Sequence, residues 1–218
     1  YIYIYFLLSI YQTVFSQNNR SLQIEGSDAN STIIVQQIDY PKEIENDSVY
    51  TIALKTFREK LNYKGFIQHE IVSAYQNDSL YYVQFKLKHL IDKIRLTHPK
   101  ISSFVKEFGL KTIDSITCET PYTNTASFIN QLTGFYQNNG FPFVAIHLEN
   151  ITKSKNIISA DLIIDKNGGR SIDKIIVKGY AAFPKSFLKQ AFRIETNKPF
   201  SKKNIQRVSK IIQTTPFV

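Results

Sequence analysis

Tandem α+β modules, each a three-stranded sheet packed on two helices in the order strand, helix, helix, strand, strand, are the architecture this sequence predicts. Three observations predict it. The chain repeats itself about every 75–80 residues: Gly65-Phe66 returns as Gly140-Phe141, Ile91-Asp92-Lys93-Ile94 as Ile172-Asp173-Lys174-Ile175, Ser103-Phe104-Val105 as Ser186-Phe187-Leu188, and Pro142-Phe143-Val144 as Pro216-Phe217-Val218. Within each of the first two repeats a helical apolar stripe ends at a glycine and is followed by two runs with the two-residue alternation of half-buried strands. The hydrophobic share of 43% and the aromatic share of 13% are those of folded units, and 218 residues hold two or three small domains.

The elements follow in order. Residues 1–16 read as the remnant of an export signal: Ile2, Ile4, Phe6, Leu7, Leu8 and Ile10 form a short apolar stretch, and Val14 and Ser16 suit a cleavage site. Repeat 1, residues 20–97, opens with a strand at 22–25. Residues 31–38 are ambiguous, since Ile33-Ile34-Val35 favour a strand and the repeat register asks for a helix. A helix carrying Ile52, Leu54, Phe57 and Leu61 stops at Gly65. A strand at 69–75, a turn at 76–79 and a strand with Tyr81, Val83, Phe85 and Leu87 on one face complete it.

Repeat 2, residues 91–171, shares its opening strand, 91–96, with the end of the first span. Ser102 or Ser103 is positioned to cap a helix through Phe104, Val105 and Phe108 that ends at Gly109. After an irregular connection, residues 123–125 offer a second cap for a helix with Phe128, Ile129, Leu132, Phe135 and Tyr136 on one face, stopped by Gly140. A hairpin follows, with Val144, Ile146 and Leu148 on the core face of one strand, a turn near 153–156, and Ile158, Ala160, Leu162 and Ile164 on the core face of the other. Repeat 3, residues 172–218, supplies a strand at 173–178 and helices at 184–192 and 201–214, then breaks off before its hairpin; a piece of a longer chain is expected.

Chemistry-bearing motifs are scarce. His69, His89, His98 and His147 are scattered without a ligand spacing, and no glycine-rich phosphate loop occurs, so neither metal, cofactor nor catalytic residue is expected and the chain reads as a non-enzyme. Cys118, the only cysteine, reads as a small buried core residue. The net charge of +9 is concentrated beyond residue 172, where ten basic residues oppose Asp173 and Glu195. That field suits anionic lipid or an acidic partner, through Lys185, Lys189, Lys202, Lys203, Arg207 and Lys210. A basic nucleic-acid-binding module is the rival reading. It lacks the Gly-x-x-Gly loop of the nearest such fold, and no nucleic acid is expected.

The run Val177-Lys178-Gly179-Tyr180, Phe187-Leu188, Pro199-Phe200 and Pro216-Phe217-Val218, with the Gly-Phe helix stops, resembles the POTRA domain. Such repeats form the periplasmic region of the BamA and TamA class of outer-membrane proteins, the bacterial surface antigen family. The resemblance implies a periplasmic module exported by a signal peptide, preceding a membrane β-barrel that this sequence does not include. The implied function is assembly and insertion of outer-membrane β-barrels, with unfolded outer-membrane proteins as clients and accessory assembly subunits as partners. A two-partner-secretion or translocation-type transporter is the alternative it leaves. It also places the strands after the Gly-Phe stops at sheet edges, where extended partners add by main-chain bonding. The residues so marked are Gln68, His69, Ile71 and Ser73 in repeat 1 and Phe143, Ala145, His147 and Glu149 in repeat 2.

Overall fold

A strand that alternates Leu22 and Ile24 against Ser21, Gln23 and Glu25 opens the described part of the chain; the computed structural model describes residues 19–174, Ile176 and residues 197–214. The predicted export signal, the strand at 173–178 beyond Lys174 (Ile176 apart) and the helix at 184–192 lie outside the described residues. The chain divides into two units between Leu90 and Ile91.

In the first unit, β1 (Arg20–Gly26), α1 (Ala29–Gln36), the two-residue β2 (Glu43–Ile44), α2 (Asp47–Tyr63), β3 (His69–Gln76) and β4 (Leu80–Leu87) follow one another. The sheet order is β2-β1-β4-β3, with β1 and β4 parallel and β3 antiparallel to β4. Leu22 and Ile24 from β1 and Tyr81, Val83 and Phe85 from β4 meet Val35 of α1 and Ala53, Phe57 and Leu61 of α2 in one buried cluster. The Phe57 ring lies 5.3 Å from Phe85 and 5.6 Å from Tyr40 between ring centroids, the latter edge-on. The ambiguous stretch 31–38 is helical up to Gln36. Asp28 caps it by accepting the Ser31 N–H at 2.8 Å, and the buried Ser31 hydroxyl donates to the same carboxylate and accepts the Leu87 N–H at 3.1 Å. The cap and this tie to β4 outweigh the strand preference of Ile33, Ile34 and Val35.

In the second unit, β5 (Lys93–Thr97), α3 (Ile101–Phe108), β6 (Lys111–Thr112), β7 (Thr117–Pro121), a 3-10 turn (Tyr122–Asn124), α4 (Thr125–Asn138), β8 (Ala145–Ser154), β9 (Ile157–Asp165) and α5 (Lys202–Thr214) occur in that order. The sheet order is β6-β7-β5-β9-β8, with β5 and β9 parallel. The trio β5-β9-β8 thus repeats β1-β4-β3 in order and sense. Its core holds Ile94, Leu96, Phe104, Cys118, Phe128, Leu132, Tyr136, Ala160 and Leu162. Both Gly-Phe stops have one geometry. Gly65 and Gly140 each have φ of 95°, and the next residue's N–H bonds the carbonyl five residues back, Phe66 to Leu61 and Phe141 to Tyr136. Residues 170 and 200 are tied to the second stop: Arg170 N donates to Gly140 O, Gly140 N to Phe200 O, and Phe200 N to Arg170 O, at 2.7–2.9 Å.

Several expectations change. The sheets hold four and five strands rather than three. The irregular connection after Gly109 contains β6 and β7, and Cys118, Glu119 and Thr120 of β7 are buried. The strand read at 91–96 runs over Lys93–Thr97 and pairs wholly within the second sheet. Ile52 is 63% exposed, and Ala53 takes the core position. Neither Ser102 nor Ser103 caps α3: His98 Nδ1 accepts the Lys100 N–H and starts the turn earlier, while Ser103 Oγ donates to Lys100 O. No side chain caps α4, because the 3-10 turn supplies the Tyr122 carbonyl to the Thr125 N–H instead.

Candidate functional site: two open sheet edges

The strands β3 and β8 each close a sheet, and among the described residues no strand pairs with their outer edges. The phase of their backbone groups follows from the bonds that are made. Lys88 N donates to Gln68 O, and Asn77 N to Leu80 O, so these pairs are hydrogen-bonded. Alternation along an antiparallel ladder then turns the N–H and C=O of His69 and Ile71, and beyond the bulge those of Ala74 and Gln76, away from β4. In the β8–β9 hairpin the two-residue turn Lys155-Asn156 makes Ser154 and Ile157 a bonded pair. By the same alternation, Ile146 and Leu148 present their backbone groups outward.

The marked residues separate on this geometry. His69 and Ile71 have outward backbone groups and sit opposite Leu87 and Phe85, on the helix side of the sheet. Ser73 does not continue that row. The register slips between Ile71 and Ser73, so Val72 is an extra residue and Ser73 lies opposite Gln84, on the face away from the helices. Gln68 precedes the strand, and its carbonyl is taken by Lys88. Phe143 also precedes its strand: its carbonyl accepts from Asn167 Nδ2 at 2.9 Å, and the Arg170 guanidinium lies over its ring. Ala145, His147 and Glu149 lie opposite Asp165, Ile163 and Asp161 on the face away from the helices, with their backbone groups turned to β9. Alternation in the sequence could not separate these sets, because the two bulges carry no apolar signature. Residues missed by sequence reasoning are Ala74, Gln76, Ile146 and Leu148; the Asn-containing turns at 77 and 156 were the signals that set their phase.

A groove of about 450 Å³ lies between α2 and the start of β3, lined by Tyr50, Leu54, Lys55, Arg58, Glu59 and His69 among others. Tyr50 stacks on Tyr81 with ring centroids 4.4 Å apart, and burial pushes its phenol up. Arg58 Nε donates to His69 Nε2 at 3.2 Å while His69 Nδ1 lies 2.8 Å from Phe66 O, so the proton belongs on Nδ1. This pair ties α2 to the start of β3. Further along β3, Ile71, Val72 and Tyr75 are 40–54% exposed, Tyr75 on the face away from the helices, where it stacks on Tyr82. An unpaired strand edge can hold an extended peptide by main-chain bonds, and the exposed Ile71, Val72 and Tyr75 offer it apolar contacts.

Of the basic residues marked in repeat 3, Lys185 and Lys189 lie outside the described residues. Lys203, Arg207 and Lys210 fall on one face of α5, at spacings of four and three. Lys202 Nζ donates to Gln137 Oε1, and Lys203 N to Asn138 Oδ1. Among the described residues there is no group of three His, Cys, Asp or Glu placed to hold a metal ion, and no helix long and apolar enough to cross a membrane.

No family profile and no curated protein matches this sequence. Among solved structures, the chain is similar to the crystal structure of Haemophilus influenzae BamA POTRA3-5, with a TM-score of 0.57 and 11% identity over 94% of this chain and 89% of that one. The POTRA1-2 periplasmic region of Omp85 from Anabaena gives a TM-score of 0.36 at 9% identity, covering 66% of this chain and 92% of that one. The N-terminal domain of Omp85 from Thermosynechococcus elongatus gives 0.33 at 9% identity, over 88% and 83% of the two chains. The last two scores are too low to carry weight. The first shows the fold: the chain has the mixed α+β POTRA fold.

Proposed function

We propose that this chain is the periplasmic POTRA region of an outer-membrane β-barrel assembly factor, and that β3 and β8 receive extended segments of unfolded outer-membrane proteins, or of accessory subunits, by strand addition. One observation carries the reading: each unit ends its sheet with a strand of eight or ten residues that, among the described residues, is bonded to a neighbouring strand along one edge only. Main-chain bonding tolerates many sequences, which suits a protein that must accept many clients. Long edges of this kind are otherwise an aggregation hazard, and β3 keeps three exposed apolar residues there, Ile71, Val72 and Tyr75. Binding without chemistry is the corresponding expectation, and the module would stand between an export signal and a membrane barrel. Lys203, Arg207 and Lys210 form, in the same reading, a patch for anionic lipid headgroups. Vesicle binding indifferent to lipid charge and salt contradicts that part.

The test is a proline at an outward N–H. Ala74→Pro removes a β3 donor that bonds nothing in the sheet, at an exposed side chain, so the fold survives. A photo-reactive residue at Tyr75 should cross-link to an unfolded barrel protein in the parent chain and fail to do so in Ala74→Pro. Equal yields from both contradict strand addition at this edge.

A further inference from the structure

The two edges differ in charge. On β3 the carboxylate of Glu70 is paired with Lys88, and the Lys88 ammonium together with the hydrogen bond it donates holds Glu70 below the usual carboxylate range, with Lys86 adding to the effect. On β8 the face away from the helices is acidic. Glu149 lies opposite Asp161 of β9, and Asp165 lies opposite Ala145. His147 stands between them, its Nε2 3.0 Å from Glu149 Oε1 and its Nδ1 3.8 Å from Asp165 Oδ2. Asp161 accepts from Asn150 Nδ2 at 2.7 Å. Three carboxylates therefore share one imidazole and one amide on two adjacent strands, and the side chains of Glu149 and Asp165 are each 54% exposed.

We propose that the β8 edge selects extended segments carrying lysine or arginine on the face away from the helices. The inference rests on the strand-addition reading above and adds the class of client that this edge prefers. An antiparallel strand added to β8 bonds through Ile146 and Leu148. Its residues opposite His147 and Glu149 then form the closer, non-bonded pairs, with Cα atoms roughly 4.5 Å apart. A basic side chain there meets Glu149 directly, whereas an acidic one is repelled. Asp161 and Asp165 lie one strand further, roughly 5 Å more, inside the screening length of about 10 Å at 0.1 M salt. The β3 edge, with Glu70 already neutralised, has no such preference.

The experiment uses the full chain, with amide resonances of β3 and β8 followed by NMR. The probes are three synthetic ten-residue peptides alternating valine with lysine, threonine or glutamate. The expected result at low salt is binding at β8 about tenfold tighter for the lysine peptide than for the glutamate peptide, shrinking to within about twofold at 1 M salt. The triple variant Glu149→Gln, Asp161→Asn, Asp165→Asn should lose the difference while keeping the threonine peptide's affinity. The same peptides should not be ranked by charge at β3. Equal affinities of the lysine and glutamate peptides at β8, or a preference that resists salt, overturns this inference and leaves strand addition standing. Failure of all three peptides to shift β8 and β3 resonances overturns strand addition itself, and this inference with it.

Discussion

Gly26→Ala is the substitution whose cost the structure fixes most sharply. A Cβ built on Gly26 lies 2.1 Å from Thr32 N, 2.3 Å from Ser31 C and 2.6 Å from Thr32 Cα. All three are backbone atoms of the first turns of α1, so no rotamer change relieves the contact. Ordinary contact begins near 3.4 Å, so α1 must move from β1 by more than an ångström. The Ser31 hydroxyl, which joins Asp28 to Leu87 N, and the Thr32 hydroxyl on Gly26 O resist that movement. Overpacking costs about 1–3 kcal/mol when side chains can yield; with backbone on both sides we expect about 3 kcal/mol or more. A small domain has of order 5 kcal/mol in all, so the first unit should lose over half its stability. The assay is urea unfolding of the full chain, followed by NMR amide intensities that report each unit separately. The midpoint of residues 20–87 should fall by about 3 M or more, taking a slope of roughly 1 kcal/mol/M, with the second unit unchanged. Gly109→Ala is the contrast: φ is +66° but nothing lies within 4 Å, and its cost should be only about 1 kcal/mol. A Gly26→Ala midpoint within experimental error of the parent refutes the argument.

Three further outcomes are expected. Burial pushes the Cys118 thiol up to about 11, so iodoacetamide at pH 8 should label it only after urea unfolds the second unit; labelling at the rate of a free thiol in buffer contradicts this. The hydrogen bonds from Lys93 and Arg95 hold the Glu119 carboxyl below its ordinary range. A depressed folded value means that this stabilisation is fully present above the ordinary glutamate range and is lost as pH falls through the lower, folded value. Glu119→Gln should therefore flatten the acid limb of the second unit's stability profile, and an unaltered slope counts against the pairing. Phe57→Ala, which empties a position 1% exposed between Tyr40 and Phe85, should cost about 3–5 kcal/mol in urea unfolding; a loss under about 1 kcal/mol shows that the site repacks.

The strands with strong alternation, β4 and β9, and the glycine-stopped helices α2 and α4 were legible because burial imposes a pattern there. Tyr81, Val83 and Phe85 are all within 1% of full burial. The strand β7 was not legible, since its buried residues are Cys118, Glu119 and Thr120, which carry no apolar period. The helix α1 stayed undecided because a local cap and one serine hydroxyl decide against three β-branched or aliphatic neighbours. For the candidate site, the resemblance marked two strands that lie last in their sheets, but alternation does not tell which of their backbone groups face outward. The slip at Val72 reverses Ser73, and at β8 the marked residues turn their backbone inward. A bulge changes phase without changing composition, so only hydrogen-bond parity reveals which groups are free to bond.

Hydrogen exchange on the full chain with an unfolded outer-membrane protein added tests the central claim most directly. The account predicts that the amides of Ile71, Ala74, Ile146 and Leu148 exchange fast alone and slow on addition, while their inward neighbours Glu70, Tyr75 and His147 change little. Protection confined to loops or helix faces, or none at these four amides, contradicts it.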